Sequence, residues 1–316
     1  NNIHIKALVV GEYNPKYSHW RGKKSLGEWL NEKGIIGISG VDTRELVKII
    51  RENKDIIGKI SDPSNNITST ALNEYSFEEI ANRTKADDVS LKIDLFGNGE
   101  IKPKYVINEN PHLLNILVID CGIKNSQLRG LLKYNVQLTV VGPNFNFFDG
   151  STLIKYHGIF LSNGPGDPRV STGVVERLKQ IFEMDIEIPI FGICYGHQLM
   201  GLASGNSIGK MKYGNRGHNI PCNLTGTQKC YITSQNHGYE VLLNQENTEW
   251  QELFVNSNDN TNEGLIHKSK PYFSVQFHPE ARAGPTDTLF LFDLFIERCK
   301  SQFNIKDRIY EIVNNS

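Results

Sequence analysis

The sequence predicts an α/β protein, in which a doubly wound, mostly parallel sheet follows a smaller α/β domain. From residue 115 onward, short apolar runs alternate with amphipathic helical segments, as in a parallel sheet with crossover helices. The length of 316 residues indicates about two domains at roughly 150 residues each. The content of 39% hydrophobic and 22% charged residues is ordinary for a chain with a packed core.

Residues 1–96 are predicted to form the smaller domain. Its strands are expected in the segments IKALVV and GIIGISG. A helix in KSLGEWLNEKG should end at Gly34, because glycine commonly follows the last helical turn. A second helix, in VDTRELVKIIRENK, should begin at a cap formed by Asp42 or Thr43. Residues 97–114 lose this periodicity and contain two prolines, which predicts an interdomain linker.

Residues 115–300 are predicted to form the larger domain. NILVID is a continuous apolar run, typical of a strand buried on both faces, and the helix KNSQLRGLLKY and the strand VQLTVVG complete a βαβ unit. Further strands are expected in HGIFL and IEIPIFGIC, and further helices in GVVERLKQIFEM and YGHQLMGLASG. In such sheets the chemistry lies beyond the carboxyl ends of the strands. The polar stretch 256–264 is predicted to be a surface loop.

Composition excludes several classes of function. Lys and Arg number 34 against 35 Asp and Glu, so a broad basic face for nucleic acid or a polybasic membrane anchor is not expected. No apolar run approaches the roughly 20 residues of a membrane-spanning helix. The five cysteines contain no CxxC pair, which argues against a disulfide framework and a metal site. A reducing cytoplasmic location is therefore predicted.

The strongest local signal for chemistry is a G-x-C-x-G motif directly after a predicted strand. Gly192 and Gly196 would allow a sharp strand-to-helix turn that lifts Cys194 above the sheet, as in a nucleophile elbow. The positive end of the following helix would favour the thiolate of Cys194. The backbone N–H of Tyr195 would then be free to stabilise an oxyanion. The alternative is a buried structural cysteine between two packing glycines.

A reactive cysteine needs a base, and the segment FSVQFHPEARAGP supplies a candidate. His278 and Glu280 stand at the end of a predicted strand, where His278 would move protons and Glu280 would fix its tautomer. The alternative is that His278 is merely a strand-end residue. His237 ranks below His278, because its only expected carboxylate neighbour is Glu240.

Two glycine-containing segments add support for a site. In SNGPGDP, Gly164 and Gly166 would let backbone amides approach a ligand, although such glycines also serve the shape of a tight loop. The segment SQNHGY, after the strand CYIT, is expected to be a loop that presents Asn236 to a polar small molecule. Its alternative is an ordinary hairpin turn.

Four motifs in this order, LSNGPGDP, FGICYGHQ, QNHGY and FHPEA, resemble the signatures of triad-type class I glutamine amidotransferases, which have a flavodoxin-like fold. More narrowly, VDTRELVKIIRE, DCGIKNSQLRGLL, MKYGNRGHNIP and PEARAGPTDTLFLFDLFIE resemble the glutamine-hydrolysing small subunit of carbamoyl-phosphate synthetase. The resemblance extends over nearly the whole chain. It implies a glutaminase domain behind an amino-terminal domain that other class I amidotransferases lack.

The resemblance implies a role for each matching residue. Cys194 would form a γ-glutamyl thioester, His278 would be the general base and acid, and Glu280 would orient it. Backbone amides of Gly164 and Tyr195 would bind the oxyanion. The residues implied to hold the glutamine substrate are Gly166, Gln198, Asn236, Gly238 and Tyr239.

The chain departs from the family pattern in three places. Tyr195 stands where the family usually has leucine, and Cys121 where it commonly has an aromatic residue. The third departure is at the front, where the family domain begins some tens of residues earlier and contributes a serine to the glutamine site. The resemblance therefore implies an amino-terminally truncated fragment without that serine.

The expected partner is a carbamoyl-phosphate synthetase, as a large subunit or a fused domain, that uses ATP and Mg. No cofactor is expected in this chain, which has no G-x-x-x-x-G-K-[ST] phosphate loop. Residues 301–316 are expected to be a tail or a linker into a following synthetase domain. Carbamoyl phosphate would serve pyrimidine or arginine biosynthesis. The alternatives are a glutaminase for a different synthetase and a non-catalytic regulatory scaffold.

Overall fold

The computed structural model describes residues 5–53, 58, 60, 105–110, 112–147, 153, 155–184, 187–281 and 284–301. The chain divides into two compact units, Asn1–Asp88 and Val89–Ser316. The predicted domain end at residue 96, the first part of the predicted linker and all but the first residue of the predicted tail lie outside the described residues.

In the first unit, strands β1 (Ala7–Val9) and β2 (Ile36–Ile38) pair in parallel, with helix α1 (Leu26–Glu32) between them in sequence. A capping box starts α1: Ser25 accepts from the backbone of Glu28, whose carboxylate accepts from the backbone of Ser25. The helix ends as predicted, because Gly34 adopts a φ of 64°.

Helix α2 (Thr43–Asn53) is the second helix among the described residues of the first unit. Its start resolves the choice that the sequence left open, because the Asp42 carboxylate accepts a hydrogen bond of 2.9 Å from the backbone N–H of Glu45. None of the side chains of α2 is buried.

The strands described in the second unit are β3 Tyr105–Ile107, β4 Asn115–Ile119, β5 Gln137–Val141, β6 Gly158–Leu161, β7 Ile190–Ile193, β8 Ser207–Leu224, β9 Cys230–Leu242, β10 Trp250–Asn256, β11 Asn262–His267 and β12 Tyr272–Val275. These ten strands form one sheet in the order β10-β8-β9-β11-β12-β7-β6-β4-β5-β3. Its centre, β5-β4-β6-β7-β12, is parallel, and this order is that of flavodoxin-like sheets. Antiparallel strands continue the sheet on both sides.

Helices cover both faces of the parallel centre, as the sequence predicts for a doubly wound sheet. Successive residues of β4 face opposite layers, so that Val118 packs in one core and Leu117 in the other. The helices are α3 (Asn125–Leu132), α4 (Thr172–Glu183), α5 (Tyr195–Ala203) and α6 (residues 290–301). Helices α3 and α6 cover the first face, and α4 and α5 cover the second.

Three segments differ from the prediction. Tyr105–Ile107 lies in the predicted linker but pairs antiparallel with β5, so this part is an edge strand of the sheet. Residues 234–239 are neither a loop nor a hairpin turn, because they lie inside β9 and pair with β8. In the predicted surface loop 256–264, residues 257–261 form the turn, whereas residues 262–264 are buried in β11.

Register places the ends of the central strands side by side. Ile119 pairs with Leu161, Leu161 with Gly192, and Val275 with Ile193. The segments that follow β4, β6, β7 and β12 therefore leave the sheet at the same edge. Among the described residues, no helix has the length and apolar character to cross a membrane.

Candidate active site

Cys194 lies at the sharp turn between β7 and α5, with a φ of 55° and a ψ of −98°. A Cβ on Gly196 would collide with the backbone carbonyl of Leu161, and one on Gly192 would lie 2.8 Å from the backbone of Gly196. Only glycine therefore allows this close crossing of strand and helix. Cys194 is the N-cap of α5, and its side chain makes no capping hydrogen bond. The thiol is thus left for chemistry at the positive end of the helix.

His278 and Glu280 follow β12 and are 4% exposed. Nδ1 of His278 lies 2.8 Å from Oε1 of Glu280. Burial works to lower the pKa of His278, but interactions with Cys194 and Glu280 outweigh burial and raise that pKa to about 9. Because Nδ1 faces the carboxylate, Nε2 is the nitrogen left for the thiol. The structure thus brings together the three residues that the sequence proposes as a triad.

Glu280 is held as a carboxylate. Burial works to raise its pKa, but the hydrogen bond and charge of His278, together with the charge of Lys124, hold that pKa below its ordinary value. Nζ of Lys124 lies 3.4 Å from Nδ1 of His278. Nε2 of Gln127, in α3, donates to Oε1 of Glu280 at 3.2 Å. Lys124 and Gln127 are not among the residues predicted for the site, although their place just beyond the carboxyl end of β4 is a usable signal.

The loop after β6 has its shape fixed by hydrogen bonds. The backbone of Cys121 donates to Oγ of Ser162 at 2.9 Å, and that hydroxyl donates to the carbonyl of Asn163 at 2.8 Å. Oδ1 of Asn163 accepts from the backbone of Lys124 at 3.0 Å. A Cβ on Gly164 would lie 3.1 Å from Cγ of Tyr195, so this loop packs directly against the elbow. Gly164 therefore lies beside the side chain of Tyr195, the first residue of α5.

The residues proposed for the glutamine substrate lie on α5, on β9 and in the loop after β6. Nε2 of Gln198 donates to the carbonyl of Tyr239 at 3.1 Å and to Oε1 of Gln276 at 3.0 Å. Both of its amide protons are used, so only its oxygen remains for a ligand. Asn236 approaches Cys194 through its backbone, since its carbonyl lies 3.9 Å from Sγ of Cys194.

Arg169 makes a cation–π contact with one of these residues. The guanidinium of Arg169 lies 5.9 Å from the ring centre of Tyr239 and pairs with the carboxylate of Asp167. Gly166 adopts a φ of 86°, which lets the loop turn just before this pair. Gly238 lies beside Tyr239 within β9.

His237 is buried, and its surroundings do not suit a general base. Nδ1 lies 2.8 Å from the carbonyl of Tyr239 and Nε2 lies 2.9 Å from Oε1 of Gln235, so both nitrogens are occupied. Burial lowers the pKa of His237 to about 4. The expectation that Glu240 is its only carboxylate neighbour is wrong, because Oε1 of Glu263 lies 3.8 Å from Nε2. Burial raises the pKa of Glu263 to about 8, so at pH 7 this neighbour is mostly uncharged.

The last feature is the arrangement of side chains that can bind a metal ion. Within the described part of the chain, no group of three or more His, Cys, Asp and Glu side chains is placed to hold a metal ion.

A cysteine on a strand–helix elbow, a histidine–carboxylate pair and a flavodoxin-like sheet are shared by a known class of proteins. The family model described as glutamine amidotransferase class-I matches residues 117–298. The chain belongs to this family. Among solved structures, a protein described as a GMP synthase component from Thermoplasma acidophilum has a TM-score of 0.53 at 24% identity, covering 62% of this chain and 98% of its own. That likeness concerns the fold.

Further comparisons assign the chain to a smaller family within the class I glutamine amidotransferases. The model of the carbamoyl-phosphate synthase small chain, CPSase domain, matches residues 1–60. The carbamoyl phosphate synthase arginine-specific small chain of Saccharomyces cerevisiae is 40% identical over 319 residues, which cover 98% of this chain and 72% of the relative. The chain therefore belongs to the carbamoyl-phosphate synthase small-chain family.

Other relatives are much longer. Multifunctional protein ura1 of Schizosaccharomyces pombe is 42% identical over 323 residues, covering 97% of this chain and 14% of the relative. Multifunctional protein CAD of Squalus acanthias is 43% identical over 296 residues, covering 93% of this chain and 12% of the relative. The chain thus spans about a seventh of the length of these multifunctional relatives.

Proposed function

We propose that this chain is the glutaminase component of a glutamine-dependent carbamoyl-phosphate synthetase. It hydrolyses the side-chain amide of L-glutamine to glutamate and ammonia. The observation that carries the proposal is the buried set of Cys194, His278 and Glu280, with Nδ1 of His278 2.8 Å from the carboxylate. A scaffold without catalysis would have no use for a cysteine held at a φ of 55°.

The reaction begins when the Cys194 thiol gives its proton to His278 and the sulfur attacks the amide carbon of glutamine. Collapse of the tetrahedral intermediate breaks the carbon–nitrogen bond, and the imidazolium of His278 donates its proton to the departing ammonia. A γ-glutamyl thioester remains on Cys194. Water then attacks this thioester with His278 as base, which releases glutamate and restores the thiol. Glu280 keeps the imidazole in one tautomer and stabilises its cation throughout.

The charge that develops on the amide oxygen needs donors that are already in place. The backbone amides of Gly164 and Tyr195 fill this role, because the loop after β6 packs on the first residue of α5. The first N–H groups of a helix have no acceptor within it, so the amide of Tyr195 is available. Gly166, Gln198, Asn236, Gly238 and Tyr239 hold the remainder of the substrate.

The ammonia passes to a carbamoyl-phosphate synthetase, present as a separate large subunit or as another domain of the same polypeptide. Membership of the small-chain family and the match to multifunctional relatives support this partner. That partner uses ATP with Mg, and the product serves pyrimidine or arginine biosynthesis. All five cysteines are free thiols, which supports a cytoplasmic location.

The test follows glutamate and ammonia released from glutamine, and carbamoyl phosphate formed when a synthetase, ATP and bicarbonate are added. Rapid quenching followed by mass spectrometry should find one glutamyl group on the peptide that contains Cys194. Carbamoyl phosphate formed from ammonium but never from glutamine would contradict the proposal. Glutamine hydrolysis that a carbamoyl-phosphate synthetase cannot use, while a different synthetase can, would reassign the partner.

A further inference from the structure

The side chain of Tyr195 has no part in the mechanism above, which uses only its backbone amide. This side chain is 4% exposed. Its ring packs against Gly164, at 3.1 Å from the position of a Cβ there. Its hydroxyl lies 2.8 Å from Oγ of Ser171 and 3.2 Å from the carbonyl of Asp167. One side chain therefore contacts both ends of the segment 164–171.

Ser171 gives the second observation. It is the N-cap residue of α4, where a serine side chain ordinarily accepts from the backbone of the first helical turn. Here the side chain makes no capping hydrogen bond and lies against the hydroxyl of Tyr195 instead. Helix α4 therefore lacks the usual stabilising cap, and the Ser171 hydroxyl contacts Tyr195 instead.

The direction of these hydrogen bonds follows from proton count. A phenol hydroxyl carries one proton, so when Tyr195 donates to the carbonyl of Asp167, Ser171 is the donor to Tyr195. Burial raises the pKa of Tyr195 to about 12, against the opposing effect of the hydrogen bond with Ser171. The hydroxyl therefore keeps its proton, and with it the bond to Asp167, over the pH range in which proteins remain folded.

We propose that the hydroxyl of Tyr195 is a tether that holds the segment 164–171 on the elbow and so fixes the distance between the two oxyanion donors. The side chain is a positioning residue, because it contacts the loop that carries Gly164 and not the reacting atoms. The inference rests on the proposed glutaminase function. It assigns a specific task to the tyrosine that this chain has at position 195.

The kinetic consequence follows from where the oxyanion exists. Charge on the amide oxygen appears only in the transition state, so a donor displaced by a few tenths of an ångström lowers kcat more than it raises KM. Tyr195→Phe keeps the ring on Gly164 and removes only the hydroxyl. Losing a neutral hydrogen bond of this kind is expected to reduce kcat by about three- to tenfold.

The experiment measures kcat and KM for glutamine hydrolysis in the full-length protein and in Tyr195→Phe, Ser171→Ala and the double variant. The tether predicts that the double variant is no slower than the slower single variant, because both changes break one connection. Ser171→Ala keeps the test open if Tyr195→Phe fails to fold, since its side chain does not cap α4. Tyr134→Phe is the matched control: it removes a phenol that donates to Asp293 at 2.6 Å outside the site, and its kcat should equal that of the wild type.

The outcomes separate the two proposals. A wild-type protein that does not hydrolyse glutamine contradicts the proposed function, and the tether with it. Hydrolysis by the wild type with an unchanged kcat in Tyr195→Phe overturns the tether alone. Losses that simply multiply in the double variant also overturn it, because the two hydroxyls would then act independently.

Discussion

The amide of Gln127 and the carboxylate of Glu280 are joined by a hydrogen bond of 3.2 Å, on the same oxygen that faces His278. The other end of Gln127 accepts from the backbone of Asn163 at 3.4 Å. Gln127 is fully buried. A single side chain in α3 therefore connects the carboxylate of the proposed triad with the loop that carries Gly164.

Gln127→Leu should lower kcat/KM for glutamine by about tenfold or more, because a hydrogen bond to a charged group contributes about 1.5–3 kcal/mol. The measurement is steady-state glutamate release. Gln137→Leu is the control, since the amide oxygen of Gln137 accepts from the backbone of Asn110 at the surface, away from the triad. Equal activity in both variants would show that Glu280 needs no second donor.

Cys194→Ser should reduce glutamine hydrolysis by about 10³-fold or more, because it removes the nucleophile. Synthesis from free ammonia should continue with a partner synthetase. The exposed Cys230 provides the control, and Cys230→Ser should hydrolyse glutamine normally. If Cys194→Ser kept more than about a thousandth of the wild-type rate, Cys194 would not be the nucleophile.

His278→Asn should lose nearly as much kcat as Cys194→Ser, whereas Glu280→Gln should be milder, because orientation contributes less than proton transfer. His237→Asn should retain more kcat than His278→Asn, since both nitrogens of His237 are bonded within β9 and the adjoining network. The measurement is kcat for glutamate release from each variant. A more damaged His237→Asn would move the role of base to that residue.

The pH dependence follows from the pKa of His278, which Cys194 and Glu280 raise to about 9 against burial. Above this value the imidazole no longer carries the proton that the departing ammonia needs, so kcat/KM should fall as the pH rises through about 9. Protonation of His278 also stabilises the fold, since its pKa is higher in the folded chain. This contribution is complete below pH 6.5 and is lost as the pH rises from there through about 9. Glu280→Gln should move the alkaline fall in kcat/KM to lower pH. A histidine titration by NMR should find a lower pKa for His278 in Cys194→Ser, and an unchanged value would contradict the pairing.

The elbow was predictable because its signal is local. The two glycines around Cys194 stand between an apolar run and a helix, and these five residues alone predict the geometry of the turn. The link between Gln127 and Glu280 could not be predicted in this way, since the two residues lie 153 positions apart and meet only through the order of the sheet. The end of helix α1 was predictable for the same reason as the elbow, because the glycine that follows its last turn, Gly34, is itself the signal.

The segment 234–239 shows where local reasoning fails. Asn236 and Gly238 are typical of a turn, yet the segment is a strand because β8 pairs along almost the whole length of β9. Such pairing overrides the weak intrinsic preference of a strand segment. Tyr105–Ile107 was missed in the same way, since an edge strand of three residues carries little periodicity and is fixed by its partner β5.

The backbone of Cys194 allows a test in which two inactive variants differ in stability. A non-glycine residue in such a conformation costs about 1–3 kcal/mol, and glycine relieves that cost. Cys194→Gly should therefore be more stable than Cys194→Ala by about 1 kcal/mol in urea unfolding, whereas glycine is usually the less stable of the two by about 0.5–1 kcal/mol. A more stable alanine variant would mean that the turn is not strained.

The conformation of Cys194 also bears on selection for heat resistance. A screen of random variants that scores only folded protein would enrich glycine at position 194, since this single substitution relieves backbone strain and so raises stability. Every variant selected with glycine at this position would lack the thiol. Directed evolution of this protein for thermostability therefore requires that each round also select for ammonia release. Otherwise the selected variants will be stable proteins that no longer cleave glutamine.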